Sequence, residues 1–168
     1  MSIHIRKEQP SDIQSINEVT VAAFLEAPHT DHTEQFIVKA LRQSGVLSIS
    51  LVAEDDGNIV GHVGLSPITI SDGTDRWYGL GPISVLPNYQ GKGIGSKLMD
   101  SAIHELRNIQ AKGCVLLGDP SYYQRFGFKP REGLVLPDVP TQYFQALPFQ
   151  NDFPQGVVTY HESFFAKD

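Results

Sequence analysis

Cysteine is almost missing from this chain. A single Cys114 among 168 residues excludes an internal disulfide and any zinc site built from several thiolates of the chain. Long apolar runs are missing too. No stretch approaches the roughly 20 consecutive apolar residues of a membrane-spanning helix, so no membrane partner is expected. Basic charge is scarce: 13 Lys+Arg against 19 Asp+Glu leave a net charge of -6 and a pI near 5.4. The broad basic field of a nucleic-acid binder is therefore lacking, and no nucleic-acid partner is expected. Residues Met1 to Glu8 contain no apolar h-region, so no secretory signal is expected and the expected location is cytoplasmic.

What is present suits one folded domain over residues 1–168. Hydrophobic residues make up 40% and charged residues 19%, enough to build a core and too little charge for disorder. Ile3 and Ile5 alternate as a first strand. Pro10 to Asp12 ends it, and Ser11 with Gln14 has capping-box spacing. Ile13, Ile16, Val19, Ala23 and Phe24 recur at helical spacing. Phe36, Ile37, Ala40 and Leu41 mark a second helix, with Gly45 as its C-terminal cap. Alternation through Ile49, Leu51 and Ala53, a turn over Glu54 to Asn58, a run from Ile59 to Ile70 and another from Trp77 to Val85 predict three antiparallel neighbours. Ile94, Leu98, Ala102, Leu106 and Ile109 predict a strong amphipathic helix, and Cys114 to Leu117 a buried strand parallel to Trp77–Val85. Asp119-Pro120 opens a short helix that ends at Gly127. Two more strands are expected near Leu134–Leu136 and Gly156–Tyr160, with a Pro-rich loop between them.

The chemistry sits in Gln90, Gly91, Lys92, Gly93, Ile94, Gly95 and Ser96, between a strand and the strongest helix. Glycines let a ligand approach the backbone. The first N–H groups of a helix lack internal partners and carry partial positive charge, so a diphosphate suits the place. Two familiar phosphate motifs fail on the count. A P-loop and a dinucleotide fingerprint starting at Gly91 both need glycine where Ser96 stands. Asp119 after the next strand keeps a dinucleotide reading weakly alive. A ligand-free glycine turn is the plain alternative.

The longer run from Leu80 to Met99 resembles the acetyl-coenzyme A motif of the GNAT family of N-acetyltransferases, Gln/Arg-x-x-Gly-x-Gly/Ala. Gln90, Gly93 and Gly95 occupy its fixed positions. Gly118 to Phe128 is similar to that family's second segment, Tyr-x-x-x-Gly-Phe, and its Gly-Asp-Pro-x-Tyr-Tyr start resembles a small bacterial subgroup. The resemblance implies an α/β (α+β) fold, with a mixed, mostly antiparallel sheet flanked by helices. In that fold the central parallel strands Trp77–Val85 and Cys114–Leu117 splay apart. It implies acetyl-coenzyme A as co-substrate, with the pantetheine along Ile83, Ser84 and Val85 and the diphosphate on the N–H groups from Gly91 to Ser96. It further implies direct transfer of the acetyl group to a primary amine, on a small molecule or a protein, and leaves room for a homodimer. A non-catalytic acyl-coenzyme A-binding or sensing domain is the alternative.

Within the resemblance Tyr123, four residues before Gly127, is the acid that protonates the leaving thiolate. Its neighbour Tyr122 points about a quarter-turn away on a helix. In that family the acceptor enters near the loop holding Glu26, His29, Asp31 and His32. Glu26 is the expected substrate contact. His29, Asp31 and His32 have a spacing a metal could use, but the loop is read as solvated and no metal is expected. Cys114 reads as a small apolar core residue. No Gly-x-Ser-x-Gly elbow supports hydrolase chemistry.

Overall fold

The structure is a computed structural model in which residues 1–28 and 30–168 are described; His29, one of the loop candidates, lies outside them. In chain order the elements are β1 (Ile3–Lys7), α1 (Ile13–Phe24), α2 (Glu34–Gln43), β2 (Ile49–Asp55), β3 (Asn58–Pro67), β4 (Thr69–Ile70), β5 (Trp77–Val85), α3 (Ile94–Asn108), β6 (Gly113–Leu117), α4 (Pro120–Tyr123), β7 (Leu134–Val135), β8 (Phe144–Pro148) and β9 (Gly156–Thr159). A six-stranded sheet runs β1-β2-β3-β5-β6-β8, antiparallel except for β5–β6. A smaller sheet runs β4-β9-β7. Among the described residues no helix is long and apolar enough to cross a membrane.

Local chemistry explains most of these elements. Asp56 and Gly57, both at positive φ (52° and 85°), make the two-residue turn between β2 and β3, the Asp-Gly pattern that matches strand twist. Gly45 at φ 73° ends α2: its N–H reaches the Arg42 carbonyl, and the Val46 N–H reaches Leu41. Ile94, Leu98, Met99, Ala102 and Leu106 bury one face of α3 against Leu51, Ala53, Val63 and Leu65 of the sheet. On the opposite face α1 and α2 pack through Ile16 and Val38 onto Val52.

Three expectations are corrected. The Pro-rich stretch is not all loop, because Phe144–Pro148 forms β8 and pairs antiparallel with β6. Its alternation supplies both sides of the sheet: Phe144 and Ala146 join one core cluster, and Leu147 packs on another. The run Ile59–Ile70 divides after Pro67 into strands of different sheets. The Ser11–Gln14 capping box does not form. The chain enters α1 through a tight turn at Pro10–Asp12, and the Asp12 carboxylate accepts from the Gln9 N–H (2.7 Å) and from the Arg6 guanidinium. That arrangement holds Asp12 below the usual carboxylate range, through the Arg6 hydrogen bond above all.

The sheet's defining feature is where β5 and β6 part. Their parallel pairing ends at Gly79–Val115. Beyond it Leu116 and Leu117 stay paired with Gln145 and Phe144 of β8, while β5 continues along β3. A bulge over Leu80 to Ile83 sits at this point: three steps along β5 face two along β3, from Leu65 to Val63.

Polar groups tie α2 to the sheet. Arg42 donates to both oxygens of Glu8 (3.0 and 2.7 Å), and the Ser50 hydroxyl gives Glu8 its one proton (2.7 Å). Ser50 can then only accept from His62 Nε2, 2.8 Å away, so the neutral ring carries its proton there and Nδ1 lies buried without a partner among the described residues. Burial holds His62 down to about 4, with Glu8 opposing and Arg42 adding to the depression. Its value in the unfolded chain is higher, so the unfolded state binds more protons below about pH 6.5. The contribution is present above that value and is lost as pH falls toward 4. Urea unfolding should show a loss on the order of 2–3 kcal/mol between pH 7 and pH 4 from this group. His62→Gln should flatten that slope; equal slopes in both proteins would refute the assignment.

Candidate active site

Two turns of sequence build the first part of the site. Gly91 and Gly93 adopt φ of 75° and 85°, and Gly93 is the N-cap of α3. A Cβ at Gly93 would meet nothing within 4 Å, so backbone conformation alone requires glycine there. The Lys97 N–H is the first in α3 to be satisfied, by the Gly93 carbonyl (3.1 Å). Among the described residues the N–H groups from Gly91 to Ser96 find no backbone acceptor. The loop is fastened at both sides. Gln90 Nε2 donates to the Val85 carbonyl (3.0 Å), and the Tyr89 hydroxyl donates to Asp55 (3.0 Å).

A cavity of about 350 Å³ opens at this helix start, walled by Val85, Gln90, Gly91, Gly93, Tyr122 and Arg125 among others. Ile94, Gly95 and Ser96 also face it. Lys92 stands aside, its Nζ 5.7 Å from the Tyr89 ring centre. The Tyr122 hydroxyl meets Ser96 Oγ (3.3 Å), and the Arg125 guanidinium lies 4.6 Å from the Tyr122 ring centre. Unsatisfied amides, partial positive helix charge and one guanidinium make this an anion-accepting place.

The open edge of β5 leads away from it. The Leu86 N–H donates to Val60 of β3 (2.9 Å). By strand alternation the backbone groups of Ser84 face β3 as well, and those of Ile83 and Val85 face the gap where β6 has departed. The Ser84 side chain lies on the far side, buried, with its hydroxyl 3.4 Å from Thr20 Oγ1.

That gap widens into a larger cavity of about 750 Å³, lined by Glu34, Leu80 to Ile83, Leu116, Tyr123 and Tyr160 among others. Asp119 caps α4, accepting from the Ser121 N–H (2.9 Å) and hydroxyl (2.8 Å), so it serves the helix and no ribose. Tyr123 lies against Gly118, where a Cβ would overlap its ring. Gly118 is itself held: its carbonyl accepts from Gln145 Nε2 (2.9 Å), and its N–H donates to Tyr143 (3.0 Å). Burial, with Tyr122 and Asp119 adding, pushes the Tyr123 phenol up to about 12. Cys114 is buried and its thiol is pushed up by burial, which removes it from nucleophilic chemistry.

The structure thus brings together Gly91, Gly93, Ile94, Gly95, Ser96 and Val85 at one cavity, and Ile83 and Tyr123 at the next. It separates Tyr122 from Tyr123, one to each. Glu26 is exposed and lies outside the walls of both cavities, as do the exposed Asp31 and His32. Among the described residues no group of three ligands could hold a metal ion. Sequence reading passed over Glu34, Arg125 and Tyr160. Glu34 was signalled as an acid in the first turn of α2, which begins two residues before Phe36, where the apolar pattern placed it.

A strand pair that opens beside a glycine loop and a helix start defines an acyltransferase-type cleft, the architecture implied by the resemblance. The chain belongs to the GNAT acetyltransferase family: a family model for the acetyltransferase (GNAT) domain matches residues 47–130. It is 34% identical over 126 residues to the Escherichia coli K12 protein described as uncharacterized N-acetyltransferase YhbS, covering 74% of this chain and 72% of that one. The crystal structure of a GNAT family acetyltransferase from Brucella melitensis in complex with acetyl-CoA superposes with a TM-score of 0.87 at 48% identity, covering 97% of this chain and 98% of that one. The structure of YhbS from Escherichia coli in complex with CoA gives 0.88 at 32% identity, covering 97% and 92%.

The seat of Tyr123 yields a prediction. Gly118→Ala should destabilise the protein by about 1–3 kcal/mol in urea unfolding, because the ring must shift. In a Tyr123→Ala background the same change should cost little. Costs that simply add would show that the two residues do not constrain each other.

Proposed function

We propose that the protein, as one domain over residues 1–168, transfers the acetyl group of acetyl-coenzyme A to a primary amine while both are bound. One observation carries the reading. Val85 and Tyr122 face the anion-accepting cavity, while Ile83 and Tyr123, one step or two along the same elements, face the larger one. A single extended ligand with an anionic middle and a reactive end fits that path. The diphosphate rests on the amides from Gly91 to Ser96, with Gln90 and Lys92 in the same loop and Arg125 beside it. The pantetheine pairs with Ile83 and Val85 along the open edge, while Ser84 between them gives its backbone to β3 and its hydroxyl to Thr20. The acetyl-CoA and CoA complexes of the Brucella and Escherichia coli proteins support this assignment.

The amine nitrogen attacks the thioester carbonyl carbon. The C–N bond forms, the C–S bond breaks, and sulfur leaves with the bonding pair. An N–H of Ile83 or Val85 polarises the carbonyl oxygen as charge grows on it. Holding both reactants in one cleft removes about 7–11 kcal/mol of a bimolecular barrier in well-oriented systems. The nitrogen attacks as the neutral amine, its ammonium proton already lost to water; Tyr123 gives its proton to the thiolate, and the proton shed by the new amide nitrogen returns through water to the tyrosinate. The raised phenol keeps its proton at every working pH. Burial penalises the thiolate in the same cleft, so donor and acceptor shift in the same direction. A cytoplasmic location accords with one buried, unbridged thiol.

A thiol-release assay with acetyl-coenzyme A and an amine panel tests the reading. Tyr123→Phe should lower kcat by about 10²-fold or more and leave the affinity for coenzyme A within about twofold, while Tyr122→Phe keeps most of kcat. Unchanged turnover in Tyr123→Phe would remove the acid. Tyr123 supplies activity only below its own value, so kcat should not fall between about pH 8 and pH 10, where an ordinary phenol begins to ionise. Binding of coenzyme A with no turnover on any amine would favour the sensing alternative.

A further inference from the structure

The larger cavity has a chemical character of its own. Its walls are apolar: Phe24 and Ile37 from the helices, Leu136 just after β7, Val158 from β9, and Phe164 from the turn near the C-terminal end of the chain. Its rim keeps large apolar side chains in solvent, with Leu117 46%, Val157 42% and Phe165 77% exposed. Among the described residues two charged side chains line it, Glu34 and Asp138, and both are acidic. Among the described residues no Lys, Arg or His joins them. Glu34 is half-buried at the first position of α2. Its Oε2 accepts from the Thr30 hydroxyl (2.5 Å), whereas its Oε1 is buried with no partner among the described residues. A buried carboxylate oxygen left open is costly unless something donates to it.

We infer that the acceptor is an amine carried on an apolar body, an arylalkyl or alkyl amine, whose ammonium docks on Glu34 while its body lies against Phe24, Ile37, Val158 and Phe164. This deepens the transferase reading and rests on it for the site's identity as the acceptor site. The charge sign selects a cation: an ammonium supplies the missing donor to Oε1, and a carboxylate would face Glu34 and Asp138 without any counter-charge. The walls select against polar bodies. A polyamine or a free amino acid would bring further charged groups into contact with leucine, valine and phenylalanine, where they lose water and gain no partner. Glu34 acts here as a binding residue for the arriving ammonium, which passes one proton to water before the nitrogen attacks, and Tyr123 keeps the role of protonating the thiolate.

Titration of the protein saturated with coenzyme A tests this without any turnover. The probes are 2-phenylethylamine, its charge-reversed counterpart 3-phenylpropionate, and the polar amines spermidine and lysine. We expect 2-phenylethylamine to bind at least about tenfold more tightly than each of the others. Glu34→Gln should weaken it by about tenfold or more while leaving the affinity for coenzyme A unchanged, and Glu34→Asp should restore part of the loss. Preference for spermidine or lysine, equal binding of 3-phenylpropionate, or indifference to Glu34→Gln would overturn the inference. Each of those results leaves acetyl transfer to some other amine intact. Failure to bind coenzyme A at all would instead overturn the transferase reading, and the inference with it.

Discussion

Backbone groups at a strand edge need partners, and the divergence of β5 from β6 after Gly79 and Val115 leaves this edge without a strand partner, the Val85 carbonyl being taken by Gln90. Both strands remain anchored by their other neighbours, β3 on one side and β8 on the other, so the sheet holds while its centre opens. The bulge at Leu80 to Ile83 turns β5 as the gap begins. Pro82 has no N–H to donate, so the first donors of the open edge lie further along, at Ile83 and Val85. A ligand with alternating amide groups can take the place of the missing strand, which is strand addition carried out by a cofactor arm.

The pair Tyr122–Tyr123 divides its labour by geometry. Neighbouring residues on a helix point about 100° apart, so one short helical turn serves two cavities. Tyr122 reaches Ser96 and supports Arg125 at the anion end. Tyr123 turns inward onto Gly118 and Phe128, where loss of water raises its phenol. α4 is short, and Asp119, Pro120 and the Gln145–Gly118 hydrogen bond fix where it starts. Precision in the position of Tyr123 therefore comes from residues on α4's flank and on β8, an element remote from it in sequence.

That dependence explains what the sequence made legible. Elements whose signal is local were read correctly: the β2–β3 turn from Asp56-Gly57, the end of α2 from Gly45, the face of α3 from its apolar spacing, and the start of α4 from Asp119-Pro120. The glycine turn and the start of α3 were equally legible, because glycines and a following helix fall in one contiguous stretch. β8 was not. Its five residues carry one glutamine inside an otherwise apolar run and end in proline, and only pairing with β6 makes them a strand. The acceptor side suffered similarly. Its walls come from α1, α2, β5, β6, β9 and the C-terminal turn, so no single stretch could announce it. Glu34 went unread because its burial and its place on the cavity wall do not show in the sequence.

The two ends of the cleft carry opposite electrostatic instructions, and the net charge of -6 makes this consequential. A polyanion approaching an acidic protein meets long-range repulsion, so its capture must rely on contacts within about a Debye length: the helix amides, Arg125 and the nearby Lys92. A cationic amine meets the reverse, attraction at long range and a carboxylate at the end of the path. The overall field thus favours the acceptor's arrival and works against the cofactor's, and local dipoles must overcome that bias for the larger ligand. In the binding mode proposed above, unpaired N–H groups, which cannot be titrated or exchanged for a counter-ion, would stabilise the cofactor's charge and let one small acidic fold accept both partners in a single cleft.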